Sequence, residues 1–283
     1  MAEAKDVSVV IPAFNEEDGI GPVVSQIKSF GPWHEVLVVD DGSTDKTAER
    51  AHAAGARVVR HPYNKGNGAA VKTGIREAKG DVVLLMDGDG QHDPGEAGKI
   101  VSEIGLHDMV IGARSARDQT WTRALGNEVF KAVASWLTGR EIQDLTSGFR
   151  AARREMLLDI LHLLPNGFSY PTTSSRAFLK AGRNVLFVPI TAKRRVGKSK
   201  IRALRDGARF LLIILKIVTL YSPLKIFFPL SAASLALGAA YGIWNVIAHG
   251  KIPMGSALLI QLAVVVFLFG LISEQIAAMQ DRK

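Results

Sequence analysis

Residues 82–94 read VVLLMDGDGQHDP, where an apolar run gives way directly to a polar one. The first five residues are large and apolar, which is typical of a strand buried on both faces of a sheet. Five polar residues follow within seven positions: Asp87, Asp89, Gln91, His92 and Asp93. Carboxylates crowded at the end of a buried strand indicate either a bound cation or an ordinary polar turn.

The same change from apolar to polar residues recurs along the N-terminal part of the chain. Strand-like runs alternate with segments whose apolar residues recur at the three- and four-residue spacing of helices. This alternation predicts an α/β fold, with a mostly parallel sheet and helices on both faces. The strand-like runs are VSVVIP, EVLVVD, ARVVRH, DVVLLMD and DMVIGAR, and the helical segments are GPVVSQIKSF, STDKTAERAHAAG and NGAAVKTGIREAKG.

Polar clusters follow the first four predicted strands. In open parallel sheets, ligands bind outside the carboxyl ends of the strands. Each cluster alone is compatible with a loop, since Ser43 or Thr44 can cap a helix and Gly66 and Gly68 suit a tight turn. Four clusters at one sheet edge predict a ligand site, and they lie at residues 12–17, 40–45, 64–68 and 87–93.

The whole excess of positive charge lies in one segment of the chain. The 283 residues include no cysteine, which excludes disulfides and thiolate metal sites. The net charge is +8, and ten Lys or Arg lie between positions 193 and 225 against one acid, Asp206. Such a segment indicates either nucleic acid or an anionic membrane surface as its partner.

Two uncharged segments at the C-terminus favour the membrane. Residues 226–248 and 252–273 each reach the roughly 20 apolar residues that span a bilayer as a helix. The basic segment directly precedes the first of them, so the positive-inside rule places the large domain and the C-terminus in the cytoplasm. Lys251 alone opposes this orientation. We expect a membrane protein with two spans and no nucleic-acid partner.

The basic segment itself has an amphipathic pattern. Arg202, Arg205, Arg209 and Lys216 recur at helical spacing, and apolar residues occupy the opposite face. The pattern is typical of a helix lying in the membrane interface with its bases on lipid headgroups. A helix packed on the large domain would show the same pattern.

Two familiar binding motifs fail on inspection. GNGAAV resembles a dinucleotide fingerprint, but Val71 stands where the third glycine belongs. DGDGQHDPGEAG resembles a calcium-binding loop, but His92 replaces the glycine at its sixth position and Gly98 the terminal glutamate. Neither motif therefore identifies the ligand.

Taken together, VVIPAFNEE, VVDDGSTD, NKGNGAAVKTG, DGDGQHDP and DLTSGFR resemble family 2 glycosyltransferases, which have the Rossmann-like GT-A fold. The similarity covers about residues 7–200 and is strongest to dolichyl- and polyprenyl-phosphate hexose synthases. It implies a membrane-bound, inverting transfer of a hexose from a nucleotide sugar, of the GDP-mannose or UDP-glucose type, to polyprenyl phosphate. The expected divisions are a catalytic domain (1–192), a basic amphipathic region (193–225) and a transmembrane hairpin (226–283).

The resemblance also assigns the donor side. Breaking the anomeric C–O bond leaves negative charge on a diphosphate, which Mg²⁺ or Mn²⁺ stabilises through carboxylate ligands. Asp89, also expected to be catalytic, and Gln91 would bind the metal, while Asp87 would touch the ribose or reach the metal through water. Asp93 is predicted only to cap the next helix. The residues implied to bind the nucleotide sugar are Pro12, Ala13, Phe14, Asn15, Glu16, Asp41, Asn64, Lys65, Gly66, Asp87, Gly88 and Asp89.

The acceptor side lies in DLTSGFR, residues 144–150. Asp144 is implied either to act as a base or to orient an arginine. An ionised lipid phosphate needs cations and hydrogen-bond donors more than it needs a base. Some mannose synthases carry arginine where this chain has Gln143, so the sugar stays open. The candidate phosphate ligands are Arg123, Ser147, Arg150, Arg194 and Lys198.

Two other functions fit parts of the sequence. A polysaccharide synthase would need a surrounding bundle for export and a QxxRW motif, neither of which the sequence provides. A non-catalytic subunit that binds nucleotide sugars would not require the intact set of carboxylates. Assembly as a homo-oligomer is compatible with each of these functions.

Overall fold

The computed structural model describes residues 3–88, 90, 92–114, 144, 146–167, 170–191 and 223–280. These residues belong to two compact units, an N-terminal α/β unit and a C-terminal pair of helices. The N-terminal unit contains β1 (Val7–Ala13), α1 (Ile20–Ser29), β2 (Glu35–Asp40), α2 (Thr47–Ala53), β3 (Arg57–Arg60), α3 (Asn67–Glu77), β4 (Val82–Leu85), α4 (Ala97–Ser102), β5 (Met109–Arg114), β6 (Arg150–Arg153), α5 (Arg154–Asp159), α6 (Tyr170–Lys180) and β7 (Val185–Ile190).

The described strands form one seven-stranded sheet in the order β3-β2-β1-β4-β6-β5-β7. Neighbouring strands pair in parallel, except that β6 runs antiparallel to both β4 and β5. The prediction of a mostly parallel sheet is therefore confirmed, and each of the five predicted strands is present. The sequence analysis missed β6 and β7, and the four residues of β6, RAAR, carry an arginine at each end.

Alternate residues of the central strands feed two hydrophobic cores, one on each face of the sheet. Val9 and Ile11 of β1 pack in the core that contains apolar residues of α1, α2 and α4. Val10 and Leu37 pack in the other core, beneath α3, α5 and α6. Because both faces are covered, the central strands β1 and β4 are largely apolar, and their polar continuations lie at the sheet edge.

The C-terminal unit is a helical hairpin of α7 (Leu224–His249) and α8 (Met254–Gln280). Both helices are long and apolar enough to cross a membrane. The large apolar side chains that they expose suit a lipid environment and include Leu237, Ile247, Leu258 and Leu268.

Short side chains hold the two helices of the hairpin together. Ser256 Oγ donates to the carbonyl of Gly238 at 2.7 Å, and Ser234 Oγ donates to that of Leu259 at 2.9 Å. The helices extend beyond the predicted uncharged spans, since α8 includes Glu274, which accepts a hydrogen bond from the Leu224 N–H at 3.2 Å. Most of the predicted amphipathic region, residues 193–222, lies outside the described residues.

Candidate active site

A cavity of about 520 Å³ lies where the carboxyl ends of β1, β2 and β4 meet. Nine of the residues predicted to bind the nucleotide sugar line it, and these are Pro12, Ala13, Phe14, Glu16, Asp41, Asn64, Gly66, Asp87 and Gly88. Another cavity of about 470 Å³, near Asp6 and Arg153, contains none of the predicted site residues. The structure thus brings the separate polar clusters of the sequence together at one edge of the sheet.

Asn15 joins the loops that follow β1 and β2. Its backbone adopts a left-handed conformation with φ of 53°, which asparagine tolerates better than most residues. Its side-chain oxygen accepts a hydrogen bond from the Thr44 N–H at 3.0 Å, and its own N–H donates to Ser43 Oγ at 3.0 Å. Ser43 and Thr44 therefore bond to Asn15, and neither caps α2 as the sequence suggested.

Asp41 fixes the loop between β3 and α3 against the end of β2. Its carboxylate is buried and accepts hydrogen bonds from the N–H groups of Lys65 at 2.9 Å and Gly66 at 2.8 Å. The same carboxylate lies 2.7 Å from Nδ1 of His61, whose Nε2 lies 2.9 Å from Thr73 Oγ1. Lys65 contributes its backbone here, and it is not among the residues that line the cavity.

Gly66 is required by this loop for two reasons. Its φ of 103° is a conformation that side chains with a β-carbon rarely adopt. A β-carbon there would also lie within 3 Å of the Asn166 carbonyl oxygen. The turn that places Asp41, Asn64 and Gly66 around the cavity therefore depends on glycine.

Asp87 lines this cavity and lies against Gly148, in the segment of residues 144–150. Its Oδ2 is 3.3 Å from Nε2 of His92, and its side chain keeps 34% of its surface exposed. Tyr170 of α6 is buried. Burial raises the pKa of the Tyr170 hydroxyl, and the negative charge of Asp87 raises it further, so the phenol stays protonated.

The segment from Asp144 to Arg150, called here the acceptor turn, is held by its first residue. Asp144 Oδ1 accepts hydrogen bonds from the Thr146 N–H and hydroxyl, both at 2.9 Å, and from the Ser147 N–H at 3.1 Å. One carboxylate oxygen of Asp144 is thus committed to the turn. This geometry supports an organising role for Asp144.

The structure corrects the expectation for Arg150, which was a candidate ligand of the acceptor phosphate. Its side chain is only 1% exposed and donates to the Pro171 carbonyl at 2.7 Å and to the hydroxyls of Ser174 and Ser175 at 2.8 and 2.9 Å. Ser147 is fully buried as well, and its hydroxyl accepts from the Phe149 N–H. Both side chains hold the acceptor turn in place, and neither faces an acceptor from solvent.

The structure also separates the residues of the opening stretch. Asp93 accepts a hydrogen bond from the Gly95 N–H at 3.2 Å and caps the short 3-10 helix Pro94–Glu96, as predicted. His92 is buried. Asp89 and Gln91 lie outside the described residues, as do Arg123, Arg194 and Lys198.

Sequence reasoning missed three polar residues that shape the site: His61, His92 and Tyr170. His61 follows a strand directly, but a lone histidine in a loop carries no spacing signal. Tyr170 comes 83 positions after Asp87, so only the fold brings the two together. Alternation of apolar and polar residues could not have identified these residues.

The donor atoms at this edge suit a hard divalent cation. Within the described ranges, no group of three His, Asp or Glu residues could hold a metal ion. Asp87 and Glu16 nevertheless line the cavity, and carboxylate oxygens are ligands that fit Mg²⁺ or Mn²⁺. Asp87 also retains exposed surface, so its carboxylate is open to a ligand.

Two sequence families match the chain. Residues 8–161 match the family described as Glycosyl transferase family 2, and residues 222–279 match that described as GtrB C-terminal hairpin. The first match covers more than half of the chain. The protein therefore belongs to glycosyl transferase family 2, and the resemblance seen in the sequence is confirmed.

Several named proteins are similar to the chain. Glycosyltransferase AglJ of Haloferax volcanii is 32% identical over 96% of this chain and 94% of its own length. The dolichyl-phosphate hexose transferase of the same organism is 33% identical over 72% and 90%. The polyprenol monophosphomannose synthase of Mycolicibacterium smegmatis is 33% identical over 68% and 79%.

A solved structure supports the fold. Glucosyl-3-phosphoglycerate synthase from Mycobacterium tuberculosis, crystallised with Mn²⁺ and UDP-glucose, superposes with a TM-score of 0.61 at 25% identity. The superposition covers 75% of this chain and 77% of that one. The predicted GT-A-like sheet, followed by two C-terminal apolar helices, is thus confirmed.

Proposed function

We propose that this glycosyltransferase moves a hexose from a nucleotide sugar to polyprenyl phosphate at the membrane. The observation that carries the proposal is the presence, in one chain, of the carboxylate-lined cavity and the bilayer-length hairpin. Relatives named for dolichyl phosphate and polyprenol support the lipid acceptor. A soluble acceptor would leave the hairpin without a role in the reaction.

The donor would occupy the cavity bounded by Asp41, Asn64, Gly66 and Asp87. Residues 12–16 would line the base and ribose, and Asn64 to Gly66 would close over the nucleotide. Asp89 and Gln91, together with Asp87 directly or through water, would hold Mg²⁺ or Mn²⁺. When bound, the cation supplies electrostatic stabilisation of the diphosphate leaving group.

The acceptor phosphate would approach from the side of the acceptor turn. Its oxygen forms the new bond to the anomeric carbon while the C–O bond to the diphosphate breaks, so one displacement inverts the configuration. The phosphate oxygen is already anionic and needs positioning more than deprotonation. We assign that positioning to Arg123, Arg194 and Lys198, and the support of the turn to Asp144 and Arg150.

The membrane orientation follows from charge. Ten basic residues between 193 and 225 precede the first span, so the catalytic domain, residues 1–192, would face the cytoplasm. The basic region would lie on the headgroups and bring the lipid phosphate to the domain. The hairpin of α7 and α8 would anchor both in the bilayer.

The test uses the full chain in phosphatidylglycerol-containing liposomes that carry undecaprenyl or dolichyl phosphate. Radiolabelled GDP-mannose, UDP-glucose and UDP-N-acetylglucosamine are supplied in turn, with and without Mn²⁺. We expect an organic-extractable, labelled product from one donor, formed only when both metal and lipid phosphate are present. Transfer to water-soluble acceptors alone, or polymer formation, would overturn the lipid-acceptor proposal.

A further inference from the structure

His92 is a buried histidine beside the donor cavity, and the proposed reaction gives it no role. Its side chain is 3% exposed, and its Nε2 lies 3.3 Å from Oδ2 of Asp87. Its ring packs on Phe149 of the acceptor turn, with ring centroids 5.1 Å apart and planes tilted by 30°. The His92 side chain therefore contacts both the Asp87 carboxylate and the acceptor turn.

Packing alone does not account for a histidine at this position. Within the described part of the chain, Nδ1 of His92 is buried without a hydrogen-bond partner. Burying a nitrogen that has no hydrogen-bond partner costs free energy. An apolar aromatic or branched side chain would fill the same space without that cost. The polar contact that His92 does make is the one between its Nε2 and Asp87.

The neighbours of Asp87 leave its carboxylate little freedom to rotate. A β-carbon on Gly148 would lie 2.7 Å from Oδ1 and 2.8 Å from Cγ of Asp87, so the backbone of the acceptor turn closes one side. His92 closes another and is the neighbour whose hydrogen bond to the Asp87 side chain the structure identifies. A group held in this way is set before the donor binds.

We propose that His92 is a positioning residue. By donating from Nε2 it holds the Asp87 carboxylate toward the metal and nucleotide, and by packing on Phe149 it keeps the acceptor turn in register with that carboxylate. This inference rests on the proposed function, because it gives Asp87 a role in donor binding. His92 acts through Asp87 and itself touches no reacting atom.

The test compares three substitutions in the full chain. His92→Gln keeps an N–H donor near the place of Nε2, His92→Asn carries a donor too short to reach Asp87, and His92→Leu carries none. The matched control is His107→Gln, which makes the same substitution as His92→Gln at a partly exposed histidine. His107 pairs with Glu103 at 3.8 Å. A melting curve in detergent establishes that each variant is folded.

The first readout is independent of turnover. Mn²⁺-dependent binding of UDP and of GDP is measured by calorimetry for each protein. We expect His92→Leu and His92→Asn to weaken that binding about 10- to 100-fold, the range typical for residues that orient a metal ligand. His92→Gln should recover most of the affinity, and His107→Gln should match the wild type.

The second readout separates kcat from KM with the preferred donor and saturating lipid phosphate. We expect kcat to fall in His92→Leu and His92→Asn and to recover in His92→Gln. Wild-type binding and kcat in a folded His92→Leu or His92→Asn variant would overturn the positioning role. A His92→Gln variant as weak as His92→Leu would overturn donation from Nε2.

Failure of the proposed function has a different signature. In that case the wild type itself would make no lipid-linked sugar, while the binding comparison among the variants would still decide the role of His92. A wild type that binds neither UDP nor GDP with Mn²⁺ would overturn both.

Discussion

The carboxylate of Asp87 occupies the space that a side chain at Gly148 would fill, so the chain after β4 closely approaches the acceptor turn. A β-carbon at position 148 would come within 2.8 Å of Asp87 Cγ, closer than atoms can pack. The donor cavity and the acceptor turn thus meet at Gly148, where there is no room for a side chain.

Gly148→Ala should lower kcat about 100-fold, since a shift of about 1 Å in a reacting group can cost that much. The added methyl must displace either Asp87 or the turn. Gly98→Ala is the matched control, because a β-carbon there meets no atom within 4 Å. Transfer kinetics with labelled donor measure the effect, and wild-type kcat in Gly148→Ala would contradict it.

Asp41→Asn should weaken nucleotide binding and lower stability. The amide keeps one acceptor oxygen, so one of the N–H groups of Lys65 and Gly66 faces an NH₂ group that cannot accept. An unsatisfied buried donor costs about 1–3 kcal/mol. Calorimetry with Mn²⁺ and UDP or GDP, together with the melting temperature, measures both effects.

Asp18→Asn is the control for this prediction, because it removes the same charge from a carboxylate whose side chain is 94% exposed. It should bind nucleotide as the wild type does. Equal affinity in Asp41→Asn and Asp18→Asn would show that the buried carboxylate does not organise the nucleotide loop.

The sheet and the donor cavity were predictable because both follow from alternation along the chain. VVLLM indicates a strand buried on both faces, and the polar residues after it must then lie at the ligand edge. Arg150 shows where this reasoning stops. Its position in DLTSGFR suggests a phosphate ligand, but the serines and the carbonyl that take up its guanidinium come from α6, more than 20 residues further along.

Asp89→Ala and Asp93→Ala should differ sharply, although both remove a carboxylate from the same loop. Asp89→Ala is expected to abolish transfer and Mn²⁺-dependent nucleotide binding while the domain stays folded. Asp93→Ala removes a cap at Gly95 and should cost only about 1 kcal/mol of stability, with activity retained. Product formation and melting curves for the pair provide the measurement, and normal transfer by Asp89→Ala would place the metal elsewhere.

Glu35 should make stability depend on acidic pH. Burial alone would raise the pKa of this carboxyl, but hydrogen bonds from Arg57, the Lys79 N–H and Ser8 outweigh burial and lower it. Because its pKa is lowered in the folded state, Glu35 contributes fully to folding stability at pH values above the ordinary glutamate pKa of about 4.3. This contribution is lost as the pH falls through the folded-state pKa.

Glu35→Gln is therefore expected to be less stable than the wild type at neutral pH and to lose less stability on acidification. Melting temperatures of both proteins between about pH 3 and 7 test this. Parallel melting profiles for the two proteins would rule out a contribution from Glu35.

The hairpin depends on close approach of α7 and α8 at Gly242. A β-carbon there would lie 2.5 Å from Ser256 Oγ, and this hydroxyl is already bonded to the Gly238 carbonyl at 2.7 Å. Gly242→Ala must therefore separate the helices or break that hydrogen bond. Without water in the bilayer to replace the partner, a lost bond and poorer packing should cost about 1–2 kcal/mol.

Gly255→Ala is the matched control, because its β-carbon would meet Tyr241 Cε1 at 3.4 Å, an ordinary contact. We expect Gly242→Ala to lower the melting temperature in detergent and the transfer rate in liposomes, while Gly255→Ala leaves both near wild type. Nucleotide binding should be unchanged in both variants, since the donor cavity lies entirely within the α/β unit. If Gly242→Ala melts and transfers like Gly255→Ala, close packing at Gly242 does not stabilise the hairpin.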